Sequence, residues 1–340
     1  MPELVPSSGA APLPPALTDA LSAAASYAEA EKAAATRRAY RSDWRHFHTW
    51  CESVSAAPLP AAPATVAAYL SSLADRGRSA STISRRLAAI SYAHRLKGLD
   101  SPAGSEPVRA VLRGIRRTIG TAVTRKAPAT ARALEAMLAA IPAGLTGLRD
   151  RALILLGFAA ALRRSELVAL KVNDLEWEQD GLLVHVRRSK TDQVGAGHVI
   201  AVPRGARLKP VEAVEAWLAG LSLADANYTC RVACSTGAEA RYAAAVPLFR
   251  PIGRSGRVGR QALTGDSVAT IVKRYAGAAG LDPKIFSGHS LRAGFVTSAL
   301  EHGADLFKVM DVTRHRRLET LKGYDRRARA FRDHAGRDFL

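Results

Sequence analysis

The chain has 340 residues, beyond the roughly 250–300 at which one hydrophobic core stops growing, so about two domains are expected. Hydrophobic residues make up 48%, enough for real cores, and the formal net charge is +19 with a pI near 10.5. So large a surplus exceeds what solubility needs and makes a polyanion the expected partner: DNA, RNA or an anionic membrane.

Residues up to about Glu31 are rich in Pro, Ser and Ala and read as a flexible start leading into a helix near Leu17–Lys32. From Thr36, Tyr40, Trp44 and Phe47 recur at spacings of four and three, as on one helix face, while Arg37, Arg38, Arg41 and Arg45 fall largely elsewhere. A second helix is expected over Ala64–Leu73, and Gly77 breaks it. Ser81-Thr82 can cap a third, lined by Ile83, Leu87 and Ile90, bearing Arg85 and Arg86, and stopped by Gly98. A fourth, Val108–Ile119, carries Arg109, Arg113, Arg116 and Arg117. Twelve Lys/Arg against two Asp/Glu between Arg76 and Lys126 make a concentrated basic surface. Ala122–Pro128 reads as a basic linker.

Helices follow near Thr130–Ala140 and Leu148–Leu162, then a short one from Arg164 or Ser165. The period then changes. Leu182, Val184 and Val186 alternate with Leu183, His185 and Arg187, and His198–Val202 is β-branched, so two strands joined by the polar turn Lys190–Gly197 form a hairpin. Helices return at Pro210–Ala219, Asp266–Ala279, Ser290–Glu301 and from Leu306 onward. Ser222–Pro247 reads as a loop-rich insertion. The fold class is therefore mainly α with a small β-hairpin.

Three cysteines make no disulfide framework, and Cys230 and Cys234 lack a second Cys pair to complete a zinc site, so free thiols in a reducing cytoplasm are expected and no metal is. No secretory signal is expected at the amino terminus. The longest apolar run, Ala152–Leu162, is too short to span a bilayer and reads as a buried helix, which weakens the membrane alternative.

Five places carry candidate chemistry: Arg163 and Glu166 in Ala-Leu-Arg-Arg-Ser-Glu-Leu, Lys190 at the hairpin turn, His289 and Arg292 in Gly-His-Ser-Leu-Arg, His315 in Thr-Arg-His-Arg-Arg, and Tyr324 in Lys-Gly-Tyr-Asp-Arg. His289 and Arg292, three apart, can share a helix face and offer several N–H donors to one phosphate. His315 and Tyr324 are nine apart, so a straight helix would set them on opposite sides. A break near Lys322-Gly323 would let both reach one site. Each piece alone is weak, and the signal lies in their combination, order and spacing.

That combination resembles the tyrosine recombinase or phage integrase family, including its Cre-like and Xer-like members, over roughly Thr36–Arg327. Leu162–Leu167 matches the family's Leu-Arg-x-x-Glu-Leu box. Lys190 corresponds to its hairpin Lys, His289–Arg292 to its His-x-x-Arg box, and His315 to the late His or Trp nine residues before the nucleophilic Tyr324. Many members have Gly where Arg314 stands. The resemblance implies a two-domain clamp: an extension over 1–33, a helical SAM-like core-binding domain over 34–120, a linker over 121–128, an α+β catalytic domain over 129–327 and a tail over 328–340.

It further implies a site-specific recombinase that cleaves and rejoins double-stranded DNA through Tyr324. Arg163, Lys190, His289, Arg292 and His315 would assist, Glu166 would orient Arg163 or His289, and no metal, ATP or other cofactor would be needed. Arg37, Arg41, Arg85, Arg86, Arg113, Arg116 and Arg117 are the candidate DNA contacts. A dimer on each site and a tetramer in synapsis are implied, in the cytoplasm with the nucleoid. A type IB topoisomerase and a non-enzymatic DNA-binding regulator are the alternatives.

Overall fold

The computed structural model describes residues 14–122, 126–187, 197–224, 246–315, 317–319 and 321. The chain divides into two compact units, residues 1–124 and 125–340.

The first unit is helical: α1 (Pro15–Ala30), α2 (Ala34–Ser53), α3 (Pro63–Asp75), α4 (Ala80–Leu96) and α5 (Glu106–Ile119). The aromatic stripe of α2 turns inward, with Phe47 fully buried against Tyr69 of α3 and Trp44 beside it. Val66, Leu70, Leu73, Ile83, Ile90 and Val108 complete this core. The cap of α4 lies two residues before the expected Ser81-Thr82: the Ser79 hydroxyl accepts from the Thr82 N–H at 3.4 Å, and the helix starts at Ala80. His94 is wholly buried and satisfied on both ring nitrogens. Nδ1–H donates to the Ile90 carbonyl, and Nε2 accepts from the Ala61 N–H, each at 2.9 Å.

The second unit packs α6 (Ala131–Ala139), α7 (Leu145–Ala159), α8 (Arg164–Ala169), α9 (Pro210–Ala224), α10 (Gly265–Ala278), α11 (Ser290–Glu301) and α12 (Leu306–Thr313) with a three-stranded antiparallel sheet. Helix α7 is apolar on nearly every side and lies at the centre, as the Ala152–Leu162 run implied, although the helix ends at Ala159 and the last residues form a turn. The expected hairpin is present as β2 (Gly181–Val186) and β3 (His198–Pro203), with Leu182 opposite Val202 and Val184 opposite Ile200. A further edge strand, β1 (Leu175–Trp177), pairs with β2. Leu182, Val184, Val186, Ile200 and Val202 face the core, as period-2 alternation requires.

Helix α9 runs to Ala224, past the expected Ala219. Its Trp217 is wholly buried and donates Nε1–H to the Leu248 carbonyl at 2.9 Å. Most of the expected 222–247 insertion lies outside the described residues. Its end does not: Val246 is buried, and Pro247 bridges to Lys171. No described helix is long and apolar enough to cross a membrane.

Candidate active site

Helix α7 ends with a reversal at Ala161, whose φ of 45° is left-handed, and this turn delivers Arg163 to the N-cap of α8. Glu166, one turn into α8, reaches back. Its carboxylate accepts from the Arg163 backbone N–H at 2.9 Å and from Arg163 Nη1 at 2.8 Å. The i, i+3 spacing read from the sequence therefore closes on itself, and Glu166 fixes both ends of Arg163.

His289 is the N-cap of α11, and Arg292 sits in the first turn of that helix. The Arg292 guanidinium is buried. Nη1 donates to the Ala161 carbonyl at 2.7 Å, 131 residues away, and Nη2 donates to the Thr313 carbonyl. Nη2 also lies 3.2 Å from His315 Nε2. Arg292 thus ties the turn after α7 to the end of α12.

His315 follows α12 directly. Thr313 spends its hydroxyl proton on the Val309 carbonyl at 2.6 Å, so it accepts from His315 Nδ1–H at 2.8 Å. That leaves Nε2 as the acceptor facing Arg292, which fixes the neutral Nδ1–H tautomer. Desolvation, then the charges of Arg292, Arg163, His289 and Arg314, lowers His315 to about 4. His289 is lowered too, by desolvation although its side chain opens to solvent, and then by Arg292 and Arg163. Burial alone would raise the Glu166 carboxyl. The Arg314 charge, together with the hydrogen bonds and charge of Arg163, outweighs burial and holds it below the usual carboxylate range.

The cluster therefore gathers three guanidinium groups, of Arg163, Arg292 and Arg314, around one carboxylate and two neutral imidazoles. It is cationic in excess and partly screened from water, which suits an anion such as a phosphodiester. Of the six expected active-site residues, Arg163, His289, Arg292 and His315 are brought together; Lys190 and Tyr324 lie outside the described residues. Cys230 and Cys234 also lie outside them, and Cys51 is a buried free thiol. Among the described residues no group of three or more His, Cys, Asp or Glu forms a metal site. Arg314, where many family members have glycine, is a member of this cluster that no sequence motif marks.

On the first unit, Arg41, Arg85, Arg113, Arg116 and Arg117 are exposed and Arg37 is half-buried. Arg113 pairs with Glu106, and Arg116 Nη2 donates to Ser84 Oγ at 3.1 Å, tying α5 to α4. A cavity of about 660 Å³ opens between these helices, lined by Arg78, Ser79, Ser81, Ser84 and Arg116. Arg86 differs from the expected DNA-facing role. Its side chain is only 11% exposed, Nη1 lies 3.3 Å from the Tyr69 hydroxyl and 3.0 Å from His46, and Nε lies 3.7 Å from the buried Asp43. Asp43 is paired more closely with Arg85, whose Nε lies 2.9 Å from its carboxylate, so the nearest partners that hold Arg86 inward are His46 and the Tyr69 hydroxyl.

The phage integrase family model matches residues 129–330, and the family's N-terminal SAM-like domain matches residues 26–97. The chain belongs to the phage integrase, or tyrosine recombinase, family, whose chemistry is the cutting and rejoining of DNA. Within it the chain is Xer- and Cre-like. The integrase/recombinase xerD homolog of Selenomonas ruminantium is 39% identical over 314 residues, covering 90% of this chain and 86% of its own. A tyrosine recombinase of Synechococcus elongatus is 30% identical over 311 residues, covering 85% and 84%. The fold is shared with the XerH site-specific recombinase in its post-cleavage complex with palindromic difH, at a TM-score of 0.56 and 20% identity over 81% of this chain and 71% of that one.

Proposed function

We propose that this chain is a site-specific recombinase that cleaves duplex DNA by attack of Tyr324 on the scissile phosphate. The observation that carries the reading is the convergence of Arg163, His289, Arg292 and His315, from three separate chain segments, into one cationic cluster. A phenol of pKa near 10 is ionised in only about one molecule in a thousand at pH 7, so forming phenolate costs about 4 kcal/mol without help. The phosphodiester repels an incoming anion as well. Both barriers fall when fixed cations and donors surround the phosphate, and Arg163, Arg292, His289 and His315 supply them.

Tyr324 releases its phenol proton to solvent, its Oη bonds to phosphorus, and the 5′-oxygen leaves, taking a proton from Lys190. The product is a 3′-phosphotyrosyl link with a free 5′-hydroxyl. A 5′-hydroxyl from a partner strand then attacks the same phosphorus and returns the tyrosine. The link conserves the phosphodiester bond energy, so the exchange calls for no ATP, and the cation cluster fills the role a metal would take.

Double-stranded DNA is the partner, held largely through phosphates by the basic helices of the first unit. A dimer on each site and a tetramer in synapsis are the working assemblies, in the cytoplasm with the nucleoid. The test is incubation with nicked target sites selected from a random DNA pool. The wild-type chain accumulates a covalent complex and Tyr324→Phe accumulates none. Persistent trapping by Tyr324→Phe overturns the assignment. Relaxation of supercoils without strand exchange supports the topoisomerase alternative instead.

A further inference from the structure

Arg314 occupies the C-cap of α12 with φ 57° and ψ 39°, a left-handed conformation that branched and bulky side chains avoid. Its guanidinium does not use this position to reach solvent. The side chain is 5% exposed and Nη2 donates to Glu166 Oε2 at 2.9 Å, across 148 residues of sequence. Nε and Nη1 are buried and hydrogen-bonded to none of the described residues. With less than 1 Å² of accessible area each, those two atoms are not presented to a DNA phosphate.

The connections form a closed circuit. Arg292 links the Ala161 carbonyl to the Thr313 carbonyl. Two residues beyond Ala161, Arg163 is gripped by Glu166, and one residue beyond Thr313, Arg314 grips the same Glu166. The loop ahead of α8 and the segment after α12 are thus joined twice, once through Arg292 and once through the Arg163–Glu166–Arg314 triad. The left-handed turn at Arg314 also sets the direction from which His315 meets Arg292 and Thr313.

We propose that Arg314 is a positioning residue of this active site: it clamps the Glu166 carboxylate against Arg163, and its left-handed backbone aims His315 at Arg292. The proposal rests on the recombinase reading and goes beyond it. It makes the geometry of Arg163 and His315 depend on a residue outside the phosphate-binding set. The titratable and charged groups facing Glu166 are Arg163 and Arg314; those acting on His315 are Arg292, Arg163, His289 and Arg314.

Arg314→Gly is the direct test, because glycine keeps the left-handed turn while removing the side chain that reaches Glu166. On a nicked suicide substrate, single-turnover cleavage falls roughly ten- to a hundredfold, as for loss of one charged hydrogen bond that positions the site, while DNA affinity stays within about twofold. The acid limb of the rate profile moves to higher pH, since Glu166 without Arg314 protonates more readily. Arg314→Lys recovers part of the rate. In a Glu166→Gln background, Arg314→Gly has little further effect.

Wild-type cleavage by Arg314→Gly with an unchanged pH profile overturns the proposal. So does a loss confined to DNA affinity, or full additivity with Glu166→Gln. If the wild-type chain forms no covalent complex at all, the recombinase reading falls, and the Glu166 carboxyl titration, followed by ¹³C NMR, still decides the clamp. An upward shift in Arg314→Gly supports it, and no shift overturns it.

Discussion

Replacing Gly294 with alanine places a methyl carbon 1.8 Å from the carbonyl oxygen of Ala129 and 2.3 Å from its carbonyl carbon. Both obstacles are backbone, so no side chain can swing aside. The two segments must part by about 1.2 Å to reach even the 3.0 Å floor of tolerated contact. That stretches two hydrogen bonds between them, Ala129 N–H to the Ser290 carbonyl and Ala131 N–H to Ser298 Oγ, both 2.9 Å, beyond bonding range. Each group left unsatisfied costs about 1–3 kcal/mol, and the better helix propensity of alanine returns about 1 kcal/mol. The net loss is about 1–5 kcal/mol, or a fall in Tm of about 2–20 °C for a unit of this size. The displacement also moves Arg292, two residues earlier on α11, away from the Ala161 and Thr313 carbonyls. Thermal unfolding and covalent trapping read the two effects. A Tm within about 1 °C of wild type refutes the close-approach reasoning.

Three further predictions follow from the site and the basic helices. Glu166→Gln leaves Arg163 and the buried Arg314 to share a neutral amide, and denaturant unfolding registers a loss of about 3–5 kcal/mol, as for a broken buried ion pair. His315 has a folded-state pKa of about 4 against an ordinary value of 6.5, so the unfolded chain binds a proton that the folded chain refuses between those values. Its contribution to stability is complete above about pH 6.5 and is lost as pH falls toward 4. The melting temperature of wild type therefore drops more steeply over that window than that of His315→Gln, and parallel curves contradict the neutral tautomer. Changing Arg113, Arg116 and Arg117 to Gln lowers the salt slope of DNA binding by up to roughly 0.9 for each phosphate contact removed, and an unchanged slope removes that face from the DNA interface.

Most helices were legible because their apolar spacing is regular: Ile83, Leu87 and Ile90 on α4, and the all-apolar face count of α7, follow directly from the core they fill. Strand β1 was not legible, since three residues give no alternation to detect, and it exists because Leu175, Glu176 and Trp177 complete the free edge of β2. Arg86 looked like its neighbour Arg85 because helix position alone does not reveal that its guanidinium meets His46 and Tyr69, 40 and 17 residues upstream. The four described active-site residues stood out only as a set in a fixed order; no local pattern brings Arg292 to Ala161. Arg314 escaped because its partner, Glu166, is 148 residues away and its backbone conformation is one that sequence rules reserve for glycine.

The central claim is that one tyrosine carries the DNA. Mass spectrometry of the nuclease-trimmed covalent complex, after proteolysis, identifies the adducted residue directly. A nucleotide remnant is expected on the peptide containing Tyr324, joined through a 3′-phosphate. A remnant on any other residue, or a 5′-phosphate linkage, contradicts it.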